Sequence, residues 1–322
     1  MHPDARYHTL DAMRGIAAII VLFYHAGKWA PAQLAGGYLA VDMFFLLSGF
    51  VIPLVYAERL RSGMTIGAFM RNRLIRFYPM ILVGLWVGSL YITPQPQNFL
   101  LLPVLDWPAE LFPVNVPMWS LLVELLVNLG FACLALRMGR RGVIAILAIC
   151  AAIMLYGATA SPLHLDQGGR WDGALVGLAR GVFSFTIGAV IYHVRRPHLT
   201  DRRKDWRALL LLPALIGVLA IDVPELRGLW DVFCVAVCLP VILWLGTKWE
   251  TPGSWIAAAL GDLSFPLYCI HSQIIWRTGS NFAMVFAALV AIAWLLDRFM
   301  DRPLRKLLMQ ALARLQSRPA AA

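Results

Sequence analysis

Apolar runs of about 20 residues recur along the chain, separated by short polar or proline-rich connections. That is the length a helix needs to cross a hydrocarbon core of ~30 Å. The pattern predicts ten spans, at about 9–29, 38–57, 74–93, 114–136, 142–160, 173–194, 208–222, 229–246, 255–276 and 281–297. The seventh is short, as a tilted, kinked or partly re-entrant segment would be. The chain has no internal repeat, low-complexity segment or separate soluble domain. The fold expected is an all-α polytopic integral membrane helix bundle over 1–300. A basic amphipathic cytoplasmic tail over 301–322 is expected to lie along the inner leaflet.

Composition agrees with this. Of 322 residues, 60% are hydrophobic and only 14% charged, against roughly 25% charged in a soluble domain. Few positions are therefore built to face water. The net charge of +10 is not a nucleic-acid footprint, because the basic residues fall in short connections and form no exposed patch. With the N-terminus inside, 22 of the 28 Lys and Arg lie in cytoplasmic segments, four lie outside, and Arg14 and Arg180 lie within spans. That excess places both termini in the cytoplasm. The outer segments 94–113 and 161–172 are rich in proline, aromatic and acidic residues. Trp107, Trp171 and Trp230 sit where an aromatic belt belongs, although carbohydrate can also stack on such rings. All five cysteines fall in apolar runs without metal-ligand spacing and read as small buried residues. The first residues show no small-residue cleavage site, so no removable signal peptide is expected.

A charge at the centre of a spanning helix costs ~2.5–3.5 kcal/mol on insertion scales, so each such group is a candidate for function. The set is Asp11, Arg14, His25, Asp42, Glu124, Arg180, Asp262 and His271. Arg14 and His25, eleven residues apart, project from nearly the same face of the first helix, ~16 Å apart along its axis. An arginine near the inner surface and a neutral-capable base deep in the outer half suit a long substrate with an anionic head and a reactive tip. Two plain alternatives stand beside this: Arg14 pairs with Asp11 as an interfacial anchor, and His25 is a satisfied hydrogen-bonder between helices. Asp42 and Glu124 enter from the outer side at about the depth of His25, where a carboxylate can orient an imidazole or hold a hydroxyl. Arg71, Arg73 and Arg76 crowd the inner mouth of span three. Arg73 and Arg76 share a face, as a phosphate clamp requires. Ser48 and Gly49 lie near mid-membrane, where small residues let helices approach. Asp262 and His271, on span nine, are expected to be structural.

These segments match a known pattern. YHTLDAMRGIAAIIVLFYHAG carries the Arg-x10-His motif on Arg14 and His25. GGYLAVDMFFLLSGF is similar to the element GGxxGVDxFFxxSGF, and RNRLIRFYP to an RxxR clamp on Arg73 and Arg76. PMWSLLVE is similar to WSLxxE, on Trp119, Ser120 and Glu124. LGDLSFPLYCIH is similar to a late S-Y-x-L-Y-x-x-H element, and DRPLRKL to a closing Pro-Leu-Arg stretch. Six elements in order, from residue 7 to about 307, resemble the membrane acyltransferase-3 family.

The resemblance implies an acyltransferase of about ten helices in the bacterial inner (plasma) membrane. It would move an acyl group, acetyl first among the choices, from cytoplasmic acyl-CoA to a hydroxyl of a glycan or glycolipid at the outer, periplasmic face. No permanently bound cofactor and no metal are implied; acetyl-CoA is a donor substrate. Partners would be acyl-CoA, a carbohydrate or glycolipid acceptor and membrane lipids, and not nucleic acid. Residue by residue, Arg14, Arg73 and Arg76 would bind the CoA phosphates, with Ser48 in the same acyl-CoA-binding set. His25 would be the base or an acyl relay, supported by Asp42 and Glu124 as the catalytic carboxylates. Ala40 stands where glycine is common, and Leu125 where one subgroup has a second Glu. No fused outer hydrolase-like domain follows, so the acceptor is expected close to the membrane, on a lipid carrier. The rival classes are a secondary transporter or flippase of a lipid-linked sugar, which calls for an inverted repeat, and a polyprenyl-phosphate glycosyltransferase. The second has only Asp106 and Glu110 as an outer acidic pair.

Overall fold

The computed structural model describes residues 6–134, 137–278 and 281–316. Residues 1–5 and the end of the expected tail, Arg318 included, lie outside the described residues. The protein is 76% helical, and every expected span coincides with a helix. These are α1 (His8–Ala26), α2 (Ala40–Arg61), α3 (Ile66–Ser89), α4 (Met118–Leu134), α5 (Arg140–Ala160), α6 (Ala174–Arg195) and α7 (Arg207–Ala220). Then α8 runs through Arg227–Phe233, a π-helical turn at Cys234–Cys238 and Leu239–Gly246. α9 (Ser254–Thr278) and α10 (Phe282–Leu296) follow, then a second π-helical turn, Asp297–Asp301, and the tail helix α11 (Arg302–Gln316).

Among the described residues six helical runs are long and apolar enough to cross a membrane: His8–Trp29, Gly37–Arg61, Arg140–Ala160, Ala174–His198, Pro224–Gly246 and Phe282–Arg314. Helices α4 and α7 are apolar but shorter. At 1.5 Å per residue, α7 reaches only ~21 Å. Helices α3 and α9 carry more polar side chains. The chain is thus an all-α membrane helix bundle. α2 is its most buried member, with 72% of its apolar window inside, whereas the Phe282–Arg314 run buries 17% and forms the rim.

One boundary differs from the sequence expectation. α3 begins at Ile66, about two turns before residue 74, because the Thr65 side chain caps it by accepting from the Ala68 N–H at 3.1 Å. Arg71, Arg73 and Arg76 therefore all lie on this one helix, as the shared face of Arg73 and Arg76 requires. The expected tail is anchored to the bundle. It continues from α10 through the π-helical turn, and Arg302 and Arg305 pair with Asp262 and Asp301 at 2.6 and 2.7 Å.

Two close helix contacts set the architecture. α1 meets α9 where a Cβ on Gly15 would press on the Leu260 backbone and one on Gly261 would press on the Asp11 side chain. α2 meets α6 where Gly49 lies against the Phe185 backbone and Gly188 against that of Leu46. Without water as a driving force, such small-residue contacts are how membrane helices gain packing.

At the outer end, the segments foreseen as loops fold onto each other. The Leu111 N–H donates to the Gly169 carbonyl at 2.9 Å and the Trp171 N–H to Ala109 at 3.0 Å. Arg180, on α6, fastens this cap. Its Nη1 donates to the carbonyls of Leu165 (2.6 Å) and Gln167 (2.9 Å), and its Nη2 to Tyr38 (3.1 Å). Its Nε lies 3.2 Å from Asp42 Oδ2, which Nη2 also contacts. Asp42 and Arg180 are 0% and 1% exposed. Removing one member of such a pair leaves an uncompensated buried charge, at a cost of about 3–5 kcal/mol. Arg180→Leu is therefore expected to lower the melting temperature in detergent by several degrees. The double variant with Asp42→Leu should regain part of that loss. Equal melting of wild type and Arg180→Leu would contradict the role given to the pair.

Candidate active site

Helices α1, α2, α3, α4 and α9 enclose a cavity of about 240 Å³. Five residues singled out by sequence line it together: Arg14, Ser48, Arg73, Arg76 and Glu124. They are brought there by the α1–α9 contact and by the early start of α3, which turns Arg73 and Arg76 inward from neighbouring turns. The remaining wall is apolar and aromatic (Phe44, Phe45, Phe77 and Phe265), with Ser120, Ser264 and Tyr268 as its other polar groups. At ~300–1,000 Å³ a typical small-molecule site is larger.

Among the described residues each arginine pairs with one carboxylate. Arg14 pairs with Asp11 at 3.1 Å, Arg73 with Glu124 at 3.5 Å, and Arg76 with Asp301 at 3.4 Å. Asp301 reaches Arg76 because the π-helical turn before α11 presents it there. Arg73 and Arg76 also lie over the rings of Phe77 and Phe265, at 4.7 and 5.0 Å. Five N–H donors per guanidinium against one long ion pair leave donors to spare. The Arg73 Nε is buried without a partner. Glu124 spends its own acceptors inside the bundle, on Ser48 Oγ and on Asn128 Nδ2 at 2.9 Å. Three guanidinium groups and one carboxylate line the cavity, and Asp11 and Asp301 hold two of the three guanidinium groups from outside its lining.

His25 and Asp42 are not in the cavity lining. Asp42 is committed to Arg180 and Ser184, and Glu124 to Arg73, Ser48 and Asn128. Neither carboxylate hydrogen-bonds His25, so the expected orienting contact is not made in this structure. The contact comes instead from His271, whose Nε2 lies 3.0 Å from His25 Nδ1. Parallel packing explains the pairing. From the Gly15–Leu260 contact, His25 is ten residues up α1 and His271 eleven residues up α9. His271, expected to be structural, is thus beside the principal candidate. The signal for it in the sequence was its place at the end of the late motif.

Tyr268 joins the two regions. Its ring lines the cavity, its hydroxyl lies 2.6 Å from Ser120 Oγ, and its ring centroid is 5.6 Å from that of His271. Tyr268 lines the cavity one helical turn before His271 on α9. Beside His25, Tyr24 donates to Asp166 of the outer cap, a carboxylate that sequence reasoning passed over because it lies in a connection.

A cationic cavity leading toward a histidine pair in an all-α membrane bundle defines an enzyme-like site. An acyltransferase domain family matches residues 7–309, nearly the whole chain. The chain belongs to this membrane acyltransferase-3 family and is an acyltransferase of groups other than aminoacyl groups. "Protein 2 in picA locus" of Rhizobium radiobacter is 31% identical over 185 residues, 48% of this chain and 96% of that protein. The acyltransferase MdmB of Streptomyces mycarofaciens is 25% identical over 371 residues, covering 94% of this chain and 92% of its own length. A Staphylococcus aureus (strain COL) protein named as an O-acetyltransferase is 38% identical over 95 residues, 28% of this chain and 15% of its own length. No solved structure matches the chain.

The charge balance of the cavity yields a direct expectation. Glu124→Gln keeps acceptors for Ser48 and Asn128 but removes the one lining carboxylate. It should tighten binding of inorganic pyrophosphate to the purified protein by about tenfold, ~1.4 kcal/mol, in calorimetric titration at low salt. Arg73→Leu should weaken it by a similar factor. Unchanged affinity in both variants would show that the cavity does not bind anions.

Proposed function

We propose that the protein moves an acyl group, acetyl as the leading case, from acyl-CoA taken from the cytoplasm to a hydroxyl of a glycan or glycolipid at the periplasmic face of a bacterial inner membrane. The observation that carries this is the set of Arg14, Arg73 and Arg76 in one cavity that Tyr268 also lines, with Tyr268 packed on His271 and His271 on His25. Membership of an acyltransferase family and the O-acetyltransferase name of one partial relative support the reading. The topology that goes with it has ten crossings and both termini in the cytoplasm, as the distribution of Lys and Arg argues.

The phosphates of acyl-CoA are assigned to the three arginines, with Ser48 on the wall beside them. The pantetheine arm runs along the aromatic wall toward Tyr268, so that the thioester approaches His25. His25 accepts the proton of the acceptor hydroxyl as its oxygen attacks the thioester carbonyl carbon. The C–S bond breaks, an ester forms, and CoA leaves as the thiol with the proton returned from His25. In a relay variant the His25 ring nitrogen attacks the thioester carbonyl, the C–S bond breaks and CoA leaves as the thiolate; the hydroxyl then attacks the acyl-imidazolium, the C–N bond breaks, and the hydroxyl proton passes to the thiolate. A labelled acyl-protein absent from His25→Ala selects the relay; its absence from wild type selects the base. Glu124 holds Arg73, and Asp42, through Arg180, holds the outer cap. Both carboxylates therefore act on the geometry of the site from a distance.

Sealed vesicles of opposite orientation test the proposal. With lipid-linked glycan in the membrane, labelled acetyl-CoA added outside inverted vesicles should label the glycan, and the same addition to right-side-out vesicles should not. His25→Ala should lose at least about 100-fold in rate. Arg14→Ala should raise the KM for acetyl-CoA more than it lowers kcat. Equal labelling by His25→Ala, or labelling from right-side-out vesicles alone, would overturn the assignment.

A further inference from the structure

The histidine pair fixes more than proximity. His271 is fully buried. Its Nδ1 faces two backbone carbonyls, Tyr268 O at 2.8 Å and Leu267 O at 3.3 Å. A carbonyl oxygen only accepts, so Nδ1 must carry the hydrogen. A neutral imidazole has one N–H, which leaves a lone pair on Nε2. Nothing in its surroundings favours the doubly protonated form: among the described residues no carboxylate contacts His271, and a buried cation without a counter-charge is costly. That lone pair points at His25 Nδ1, 3.0 Å away. Two lone pairs at that distance repel, so His25 Nδ1 is the donor. The second neighbour of His25 Nδ1, the Val21 carbonyl at 3.0 Å, is also an acceptor and makes the same demand. Every hydrogen-bond partner in the pair is then satisfied by a single arrangement. In it His25 Nε2 carries no hydrogen, and it has no partner among the described residues.

We propose that His271 is a positioning residue for acyl transfer, acting through His25. It accepts the Nδ1–H of His25, holds that ring in one tautomer and orientation, and leaves Nε2 as the free lone pair that receives the hydroxyl proton or the acyl group. This is the part a carboxylate plays in a hydrolase triad, here taken by an uncharged acceptor that the Tyr268 carbonyl has itself set. A neutral partner suits the place. The pair lies inside a bundle where an unpaired carboxylate would be expensive, and Asp42 and Glu124 are committed elsewhere. The Val21 carbonyl alone does not suffice, because it lies one turn back on the same helix and a rotation of the ring releases it, after which neither tautomer nor orientation is fixed. The inference rests on His25 being the reacting group, but the tautomer itself is measurable without activity.

The test compares wild type with His271→Leu, which keeps the volume and removes the acceptor, and His271→Gln, whose side-chain oxygen can occupy the place of Nε2. The protein carries seven histidines. With nitrogen-15 in the imidazoles, magnetic resonance of the protein in lipid reports the tautomer of each, and the signal lost in His25→Ala identifies His25. Wild type and His271→Gln should show His25 protonated at Nδ1, and His271→Leu should show a mixture of tautomers. In the vesicle assay His271→Leu should lose at least about 100-fold in kcat with the KM for acetyl-CoA unchanged. His271→Gln should recover to within about tenfold of wild type. Melting temperatures of the three proteins guard against a folding defect. Wild-type His25 protonated at Nε2, or His271→Gln as inactive as His271→Leu while equally folded, would overturn the proposal. If His25→Ala retains activity while the tautomer is as stated, the pair is correctly described and the role given to His25 is what fails.

Discussion

The approach of α1 to α9 is the constraint on which the site depends. Gly15 lies against the Leu260 backbone and Gly261 against Asp11. With no side chain to hold them apart, two parallel helices climb the membrane side by side. That single contact fixes two things at different depths. Near the inner surface it sets Arg14 beside the aromatic wall of Phe265. Ten and eleven residues higher, on α1 and α9 respectively, it sets His25 against His271. A larger residue at either glycine would separate both pairs at once, so the arginine end and the histidine end of the candidate site are coupled by packing.

The buried charges sort into two kinds by how completely they are partnered. Arg180 spends every nitrogen, on Asp42 and on three carbonyls, and so ties α2, α6 and the outer cap into one unit. Nothing of it remains for a ligand. Arg14, Arg73 and Arg76 are each held by one carboxylate at 3.1–3.5 Å and keep donors facing the cavity. In a low-dielectric bundle an arginine without enough partners is costly, and a phosphate in the cavity would offset that cost. The inner-face network serves the same end. Arg6, Asp262, Arg302 and Asp297 are joined at 2.5–2.6 Å, which holds the tail helix where Asp301 meets Arg76.

The helices were legible because a 20-residue apolar run has few alternatives in a chain this poor in charge. The cationic cavity was half legible. Helical periodicity put Arg73 and Arg76 on one face, and the spacing of Arg14 and His25 put both along one helix. The partners of Asp42 and His25 were not readable, since they come from α6 and α9, far along the chain. Depth alone favoured Asp42 beside His25, because both enter near the outer side; packing instead gave Asp42 to Arg180. The start of α3 lies before the apolar span for a local reason: Arg71, Asn72 and Arg73 interrupt the apolar pattern, and hydropathy does not register the Thr65 cap at the helix start.

The most direct test of a donor path from the arginines to the histidine pair is photo-crosslinking with an acyl-CoA whose acyl tip bears a diazirine, followed by mass spectrometry of the labelled peptides. Label on α1 and α9 around His25, Tyr268 and His271, competed by CoA and lost in Arg73→Leu, is the expected result. Label confined to the rim helices α5 and α10, or insensitive to CoA, would contradict a path through this cavity.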